Sequence, residues 1–184
     1  LLVKETIDLS LSAFALFDGK ISTPIGRLEP VDANQQVFID YAHTAEGLER
    51  CLLSAKDLTK KQLLLVFGCG GDRDKVKRPH MGKVAVTYAD QCWLTSDNPR
   101  SEKQADIAVD VLAGVADSQA KIHVCEDREL AIGQAISCLA QGDVLVIAGK
   151  GHEAYMEIQG ERLPWSDKDV AMAAIQSKAV RQCA

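Results

Sequence analysis

The sequence predicts an α/β fold, a Rossmann-like, mostly parallel sheet with helices on both faces, and three observations carry that expectation. From Val37 onward, strand-length apolar runs alternate with helix-length segments, the pattern of successive βαβ units. The stretch QLLLVFG, Gln62 to Gly68, is apolar almost throughout, as a strand buried on both faces must be. Polar, glycine-bearing or charged clusters follow several of these strands, where open parallel sheets bind their ligands.

The elements follow in order. LLVKETIDLSLSAFALFDGK carries apolar residues at helical spacing around Leu9, Ala13, Leu16 and Phe17 and is closed by Asp18-Gly19. ISTPIGRLEPVDANQQ is a connector punctuated by Pro and Gly, so a boundary is expected near Asp32 to Gln36. VFID then reads as a strand and TAEGLERCLLSAKDLT as a helix with Thr44 as N-cap, because a Thr hydroxyl can accept an otherwise orphaned N–H of the first turn. After QLLLVFG come RPHMGKVAVTYA as helix, QCWLTS as strand, EKQADIAVDVLAGVA as helix and KIHVCE as strand. DRELAIGQAISCLA is a helix capped by Asp127, DVLVIAGK a strand and SDKDVAMAAIQSKAV the final helix.

At 184 residues and 47% hydrophobic content the chain can bury a core, with a length that suits one domain plus an appendage. Its 21 Lys and Arg against 26 Asp and Glu leave a net charge of -5, which gives no general attraction to nucleic acid or to an anionic membrane. No apolar run approaches the ~20 residues of a membrane span, and no signal-peptide pattern opens the chain. The six cysteines, at 51, 69, 92, 125, 138 and 183, form no CxxC pair and no zinc-ligand spacing; reduced, mostly buried thiols of a cytoplasmic protein are expected. The chain also lacks an initiator Met, so a processed chain or a piece of a longer one is expected.

Four clusters fall at strand ends: DYAHT, GCGGDRDKVKRP, SDNPR and GKGHE. The glycine cluster is not a dinucleotide fingerprint, because Arg73 stands where the third Gly of GxGxxG belongs. No P-loop sequence is present, and His43 and His152 lack metal-ligand partners at the right spacing, so hydrogen bonding is expected of them and no metal. SDNPR is ordinary turn chemistry, yet a guanidinium just after Pro99 can grip a carboxylate with two parallel bonds. Asp97 and Asn98 can accept from an ammonium, and Glu153 and Arg73 from neighbouring loops complete a site of mixed sign suited to a zwitterion.

FIDYAHTAEGLE, VFGCGGDRDKVKRPHMG, TSDNPRSE and IAGKGHE, in that order and spacing, resemble the C-terminal domain of the Mur ligases, most of all of members that add meso-diaminopimelate. GRLEP resembles the family's signature at the junction of its central and C-terminal domains. The resemblance covers about Ile25 to Ile175; Ala45 and Ser96 depart from the usual Pro and Asp and leave the charged positions intact.

The resemblance implies an ATP-dependent amide ligase of peptidoglycan synthesis. ATP phosphorylates the carboxylate of a UDP-N-acetylmuramoyl-dipeptide, and the incoming amine attacks the acyl phosphate. It implies that residues 1–35 are the tail of a central ATPase domain and its linker, and 36–184 the amino-acid-binding domain. The triphosphate cradle, the Mg²⁺ ligands and the UDP site would lie in domains outside this chain, which would be inactive alone and carry no catalytic residue. Arg73, Asp97, Asn98, Pro99, Arg100, Gly149 and Glu153 are implied to bind meso-diaminopimelate; Arg27, Asp40 and His43 are implied to approach ATP. Meso-diaminopimelate is lysine with a second, distal carboxylate, so Arg100 should pair with that group while Asp97, Asn98 and Glu153 take the distal ammonium. Lysine would leave Arg100 without a partner, a discrimination on the order of 10⁴-fold. Two alternatives stand beside this reading: a nicotinamide-dependent oxidoreductase domain and a non-catalytic small-molecule-binding module.

Overall fold

The structure is a computed structural model and describes residues 26–31, 36–115 and 121–183. The N-terminal helix expected around Leu9 to Phe17 and the boundary residues 32–35 lie outside the described residues.

The described residues build one six-stranded sheet, a two-stranded hairpin and five helices. The strands of the large sheet are β1 (Glu29–Pro30), β2 (Val37–Asp40), β3 (Leu63–Phe67), β4 (Gln91–Leu94), β5 (Ile122–Val124) and β6 (Val144–Ala148). Their spatial order is β1-β2-β6-β3-β4-β5, and every neighbouring pair is parallel except β1 with β2. The helices are α1 (Ala45–Leu58), α2 (Lys77–Tyr88), α3 (Gln104–Leu112), α4 (Arg128–Cys138) and α5 (Asp167–Cys183).

Strand periodicity divides the core in two. Leu63, Leu65 and Phe67 of β3 point to one face with Val144, Val146 and Ala148 of β6, where Leu48 and Leu52 of α1, Met81 of α2 and Ile107 of α3 cover them. Leu64, Val66, Leu145 and Ile147 point to the other face, against Ile132 and Ile136 of α4 and Ala171 of α5. Each such fully buried Leu or Ile stabilises the fold by about 1.5–3 kcal/mol.

Crossovers from β3 to β4 and β5 run outward over one face, and the return to β6 runs over the other. The connections of β3 and β6 therefore diverge, which opens a crevice at their carboxyl ends.

Thr44 and Asp127 cap their helices as expected, accepting from Gly47 N at 3.1 Å and Leu130 N at 3.0 Å. Two expectations are corrected, and one element was not anticipated. α3 begins at Gln104, after an extended Lys103 at ψ 135°, and ends at Leu112 rather than running from Glu102 to Ala116. Glu29–Pro30, read as connector, is an edge strand, a place where Pro costs no ladder bond. The segment after GKGHE forms the hairpin β7 (Tyr155–Ile158) and β8 (Glu161–Pro164), turning through Gln159 and Gly160 at φ of 51° and 81°. Positive φ at both turn positions fits the twist of adjoining strands. Gln-Gly instead of Asn-Gly, within a polar stretch, hid the hairpin from sequence patterning.

Candidate functional site

The four strand-end clusters meet. Loops after β2, β3, β4 and β6 line one cleft of about 490 Å³, to which they bring His43, Arg73, Asp97, Asn98, Arg100, Gly149 and Glu153. Arg27, Asp40 and Pro99 of the expected site are not among its lining residues.

The glycine loop and the SDNPR loop are stapled together. Gly71 N donates to Asn98 O at 2.9 Å, and a Cβ on Gly71 would stand 1.9 Å from Pro99 O. Asp72 takes the Ser101 hydroxyl at 2.7 Å, and Asp72 N donates to Glu102 Oε1 at 2.6 Å. Arg78, with no exposed side-chain surface, donates to Glu102 at 2.8 and 3.0 Å, to Asp110 at 2.8 Å and to Gly70 O at 3.2 Å. Its guanidinium, with Lys75, holds the Glu102 carboxyl far below the usual carboxylate range. Pro99 therefore serves the site through its carbonyl, which fills the space beside Gly71.

Arg100 sits at φ 52°, in the left-handed region that a residue with a Cβ rarely adopts. The hairpin holds it there: Arg100 N donates to Glu157 O at 3.0 Å, and Gln159 N donates to Arg100 O at 2.8 Å. Its Nη1 donates to Gly71 O at 2.7 Å, and its Nε lies 3.5 Å from Glu157 Oε2. The expectation that Arg100 would lack any partner without a substrate carboxylate is thus corrected. Gly71 and Glu157 already engage it in part, and its side chain keeps 19% exposure.

Asp97 and Asn98 are buried at the end of β4, beside Glu153 and a residue that the sequence reading left out of the site, Lys150. Lys150 Nζ donates to Asn98 Oδ1 at 2.9 Å and to Glu153 Oε2 at 3.2 Å, and lies 3.8 Å from Asp97 Oδ1. Asn98 Oδ1 also accepts from Glu157 N at 2.9 Å, while its Nδ2 donates to Glu153 Oε2 at 2.9 Å. With both lone pairs of Oδ1 engaged, Asn98 is not the ammonium acceptor expected of it. A lysine between two glycines at the end of a wholly apolar strand was the signal that could have marked Lys150. Gly149, at φ 112°, keeps the backbone clear of Asp97, whose Oδ2 would stand 2.6 Å from an added Cβ.

Arg128 was missed too. Its wholly buried guanidinium pairs with Asp167 at 2.7 and 2.8 Å and ties Ser96 O to Ala148 O, at 2.9 and 3.0 Å, so one side chain fixes the ends of β4 and β6.

At the β2 end, each oxygen of Asp40 accepts from a backbone donor, Leu28 N at 2.8 Å and Ala42 N at 2.7 Å. Burial raises its carboxyl pKa against the pull of those N–H groups. Asp40 thereby holds the 26–28 turn. Arg27 is exposed and stands over the Tyr41 ring, 5.7 Å from its centroid, and His43 Nδ1 lies 2.9 Å from Tyr41 O. Cys51, Cys69 and Cys92 are buried, and burial pushes the Cys69 and Cys92 thiols up to about 12; Cys125 is half-buried and Cys138 exposed. Among the described residues no three His, Cys, Asp or Glu side chains converge to hold a metal, and no helix is long and apolar enough to cross a membrane.

Two guanidiniums, of Arg73 and Arg100, thus share the cleft with the carboxylates of Asp97 and Glu153. Residues 26–151 match the family described as Mur ligase, glutamate ligase domain. A UDP-N-acetylmuramoyl-L-alanyl-D-glutamate--2,6-diaminopimelate ligase of Syntrophomonas wolfei is 42% identical over 179 residues, 96% of this chain and 36% of that protein. The protein of the same name from Geobacillus kaustophilus is 44% identical over 171 residues, 92% of this chain and 35% of its own length. A solved structure of an enzyme of that name superposes with a TM-score of 0.80 at 40% identity, covering 86% of this chain and 33% of the other. The chain thus spans about a third of the length of the curated relatives it matches.

Proposed function

Because the chain belongs to the Mur ligase family through its glutamate ligase domain, we propose that it is the amino-acid-binding part of an ATP-dependent ligase that adds meso-diaminopimelate to UDP-N-acetylmuramoyl-L-alanyl-D-glutamate. The observation that carries the reading is the cleft that Arg73 and Arg100 line together with the carboxylates of Asp97 and Glu153. The relatives' shared name supports the choice of amino acid.

In this reading residues 36–184 are the amino-acid-binding domain and 1–35 the tail and linker of a preceding ATPase domain. ATP and Mg²⁺ bind chiefly to that domain in the cytoplasmic full-length ligase, since this chain carries no P-loop sequence. ATP supplies the acyl phosphate. The residues of this chain bind and orient: Arg100 pairs with the distal carboxylate, and Asp97 and Glu153 take the distal ammonium. The amine of the other centre is then free to project toward the activated carboxylate. Arg27, exposed over Tyr41, and His43 are the groups poised to meet ATP when the domains close, with Asp40 shaping the turn between them. The nicotinamide alternative finds no support in the glycine loop, where Arg73 stands in place of the third Gly of the fingerprint.

The test is product formation by the full-length ligase with ATP, Mg²⁺ and the UDP-linked dipeptide, diaminopimelate being compared with lysine. Turnover with diaminopimelate at a far higher kcat/KM is expected, and none from the 184-residue chain alone. Failure to use diaminopimelate, or equal use of lysine, overturns the reading. An inactive full-length protein that still binds diaminopimelate would favour a binding module.

A further inference from the structure

Lys150 follows the Gly149 turn at the end of β6, and its side chain is 0% exposed. An ammonium without access to water is stable only where its donors are met and its charge is balanced. Here Asn98 Oδ1 and Glu153 Oε2 meet two donors, Asp97 Oδ1 lies 3.8 Å away, and the Tyr155 ring centroid is at 5.8 Å. The chain's own ammonium thus occupies the midst of the three groups expected to hold the substrate's.

We propose that Lys150 is a positioning residue for amino-acid recognition: it orients the Asn98 amide and the Glu153 carboxylate, leaving one oxygen of Asp97 and one of Glu153 to receive the substrate ammonium. The inference rests on the function proposed above and names the groups that carry its selectivity for a zwitterion.

Asn98 supplies the argument. Its Oδ1 faces the Glu157 backbone N–H, which can only donate, so the orientation of the amide is fixed by chemistry. Lys150 fills the second lone pair, and Nδ2 is directed to Glu153 Oε2 at 2.9 Å. Glu153 Oε2 thereby takes two donors and is saturated from the protein side, so Oε1 is the oxygen that remains for a ligand, on a side chain 20% exposed. Asp97 is more enclosed, at 8%, and among the described residues no hydrogen-bond donor reaches its carboxylate. Within this cluster two carboxylates and one lysine leave one negative charge, the complement of one ammonium, while Arg73 and Arg100 line the same cleft. Without Lys150 the two carboxylates would face each other unbalanced, and Asn98 would lose one of the donors that lock it.

The experiment is steady-state kinetics of the full-length ligase carrying Lys150→Met, with KM measured separately for diaminopimelate, ATP and the UDP-linked dipeptide. The KM for diaminopimelate should rise at least about 10-fold while kcat at saturation stays within about 3-fold and the other two KM values within about 2-fold, the signature of lost ground-state binding. In an Asn98→Ala background, where no amide is left to orient, the same substitution should raise that KM by less than about 3-fold. Should Lys150→Met not accumulate as folded protein, Lys150→Arg serves instead. It keeps the charge but cannot place a compact point donor between Asn98 and Glu153, so the same selective rise is expected. An unchanged KM for diaminopimelate, or equal changes for all three substrates, overturns the proposal. A wild-type enzyme that fails to use diaminopimelate removes the proposed function and this inference together; an active wild type with an insensitive variant removes the inference alone.

Discussion

Replacing Arg100 separates what the fold gains from what the ligand gains. The residue sits at φ 52°, pinned by Arg100 N to Glu157 O and Gln159 N to Arg100 O, so the backbone keeps this shape whatever side chain it bears. A Cβ there costs about 1 kcal/mol relative to glycine. The side chain offsets that through the 2.7 Å bond to Gly71 O, worth about 1 kcal/mol, and the part-exposed contact with Glu157, worth less than about 1 kcal/mol. Arg100→Gly removes contacts and strain together and should leave the melting midpoint within about 2 °C of wild type, whereas Arg100→Ala keeps the strain and should lose about 1–2 kcal/mol, roughly 2–8 °C in a chain of this size. Function should fall in both. Leaving a charged ligand group unpaired costs about 2–5 kcal/mol, and 19% exposure with two protein partners already present argues for about 2–3 kcal/mol, or roughly 30- to 160-fold in kcat/KM for diaminopimelate. That is well below the 10⁴-fold on the order expected of a wholly unpaired group. Thermal unfolding of the chain and the ratio of kcat/KM for diaminopimelate and lysine in the full-length ligase read the two effects. Equal stability of the Gly and Ala variants would refute the strain argument. An equal loss for both substrates would mean that Arg100 supports the loop rather than reads the amino acid.

Three further outcomes are expected. Glu102, its carboxyl pKa depressed chiefly by Arg78, contributes stability that is present above its unfolded value of about 4.3 and lost as the pH falls toward its folded one. Urea unfolding of wild type and Glu102→Gln should therefore differ most at pH 6–7 and converge under acid; a gap constant with pH would contradict this. Gly71→Ala places a Cβ 1.9 Å from Pro99 O, a backbone atom that cannot step aside, and should cost about 1–3 kcal/mol and weaken diaminopimelate binding, with an unaffected KM as the refuting result. Asp167→Ala strands the buried Arg128 guanidinium and should cost about 3–5 kcal/mol by urea titration, whereas a loss under about 1 kcal/mol would show that the carbonyls of Ser96 and Ala148 suffice to hold it.

The sequence by itself determined the layered fold, because LLLVF and VLVIA can only be buried strands, and Thr44 and Asp127 announce their helices by local hydrogen bonds. It also showed which loops carry polar chemistry, since a parallel sheet sends its strand ends to one side. Where the sequence stopped was pairing between loops. That Pro99 O lies against Gly71, that Arg78 rather than solvent takes Glu102, and that Arg128 joins β4 to β6 are contacts across 20 residues or more of chain. No local period encodes them. The hairpin was equally hidden, though its backbone sets the φ of Arg100 and, through Glu157 N, the orientation of Asn98. Lys150 shows the limit most directly: as a residue type it reads as a solvated charge, and only the meeting of the loops after β4 and β6 around its ammonium makes it part of the site.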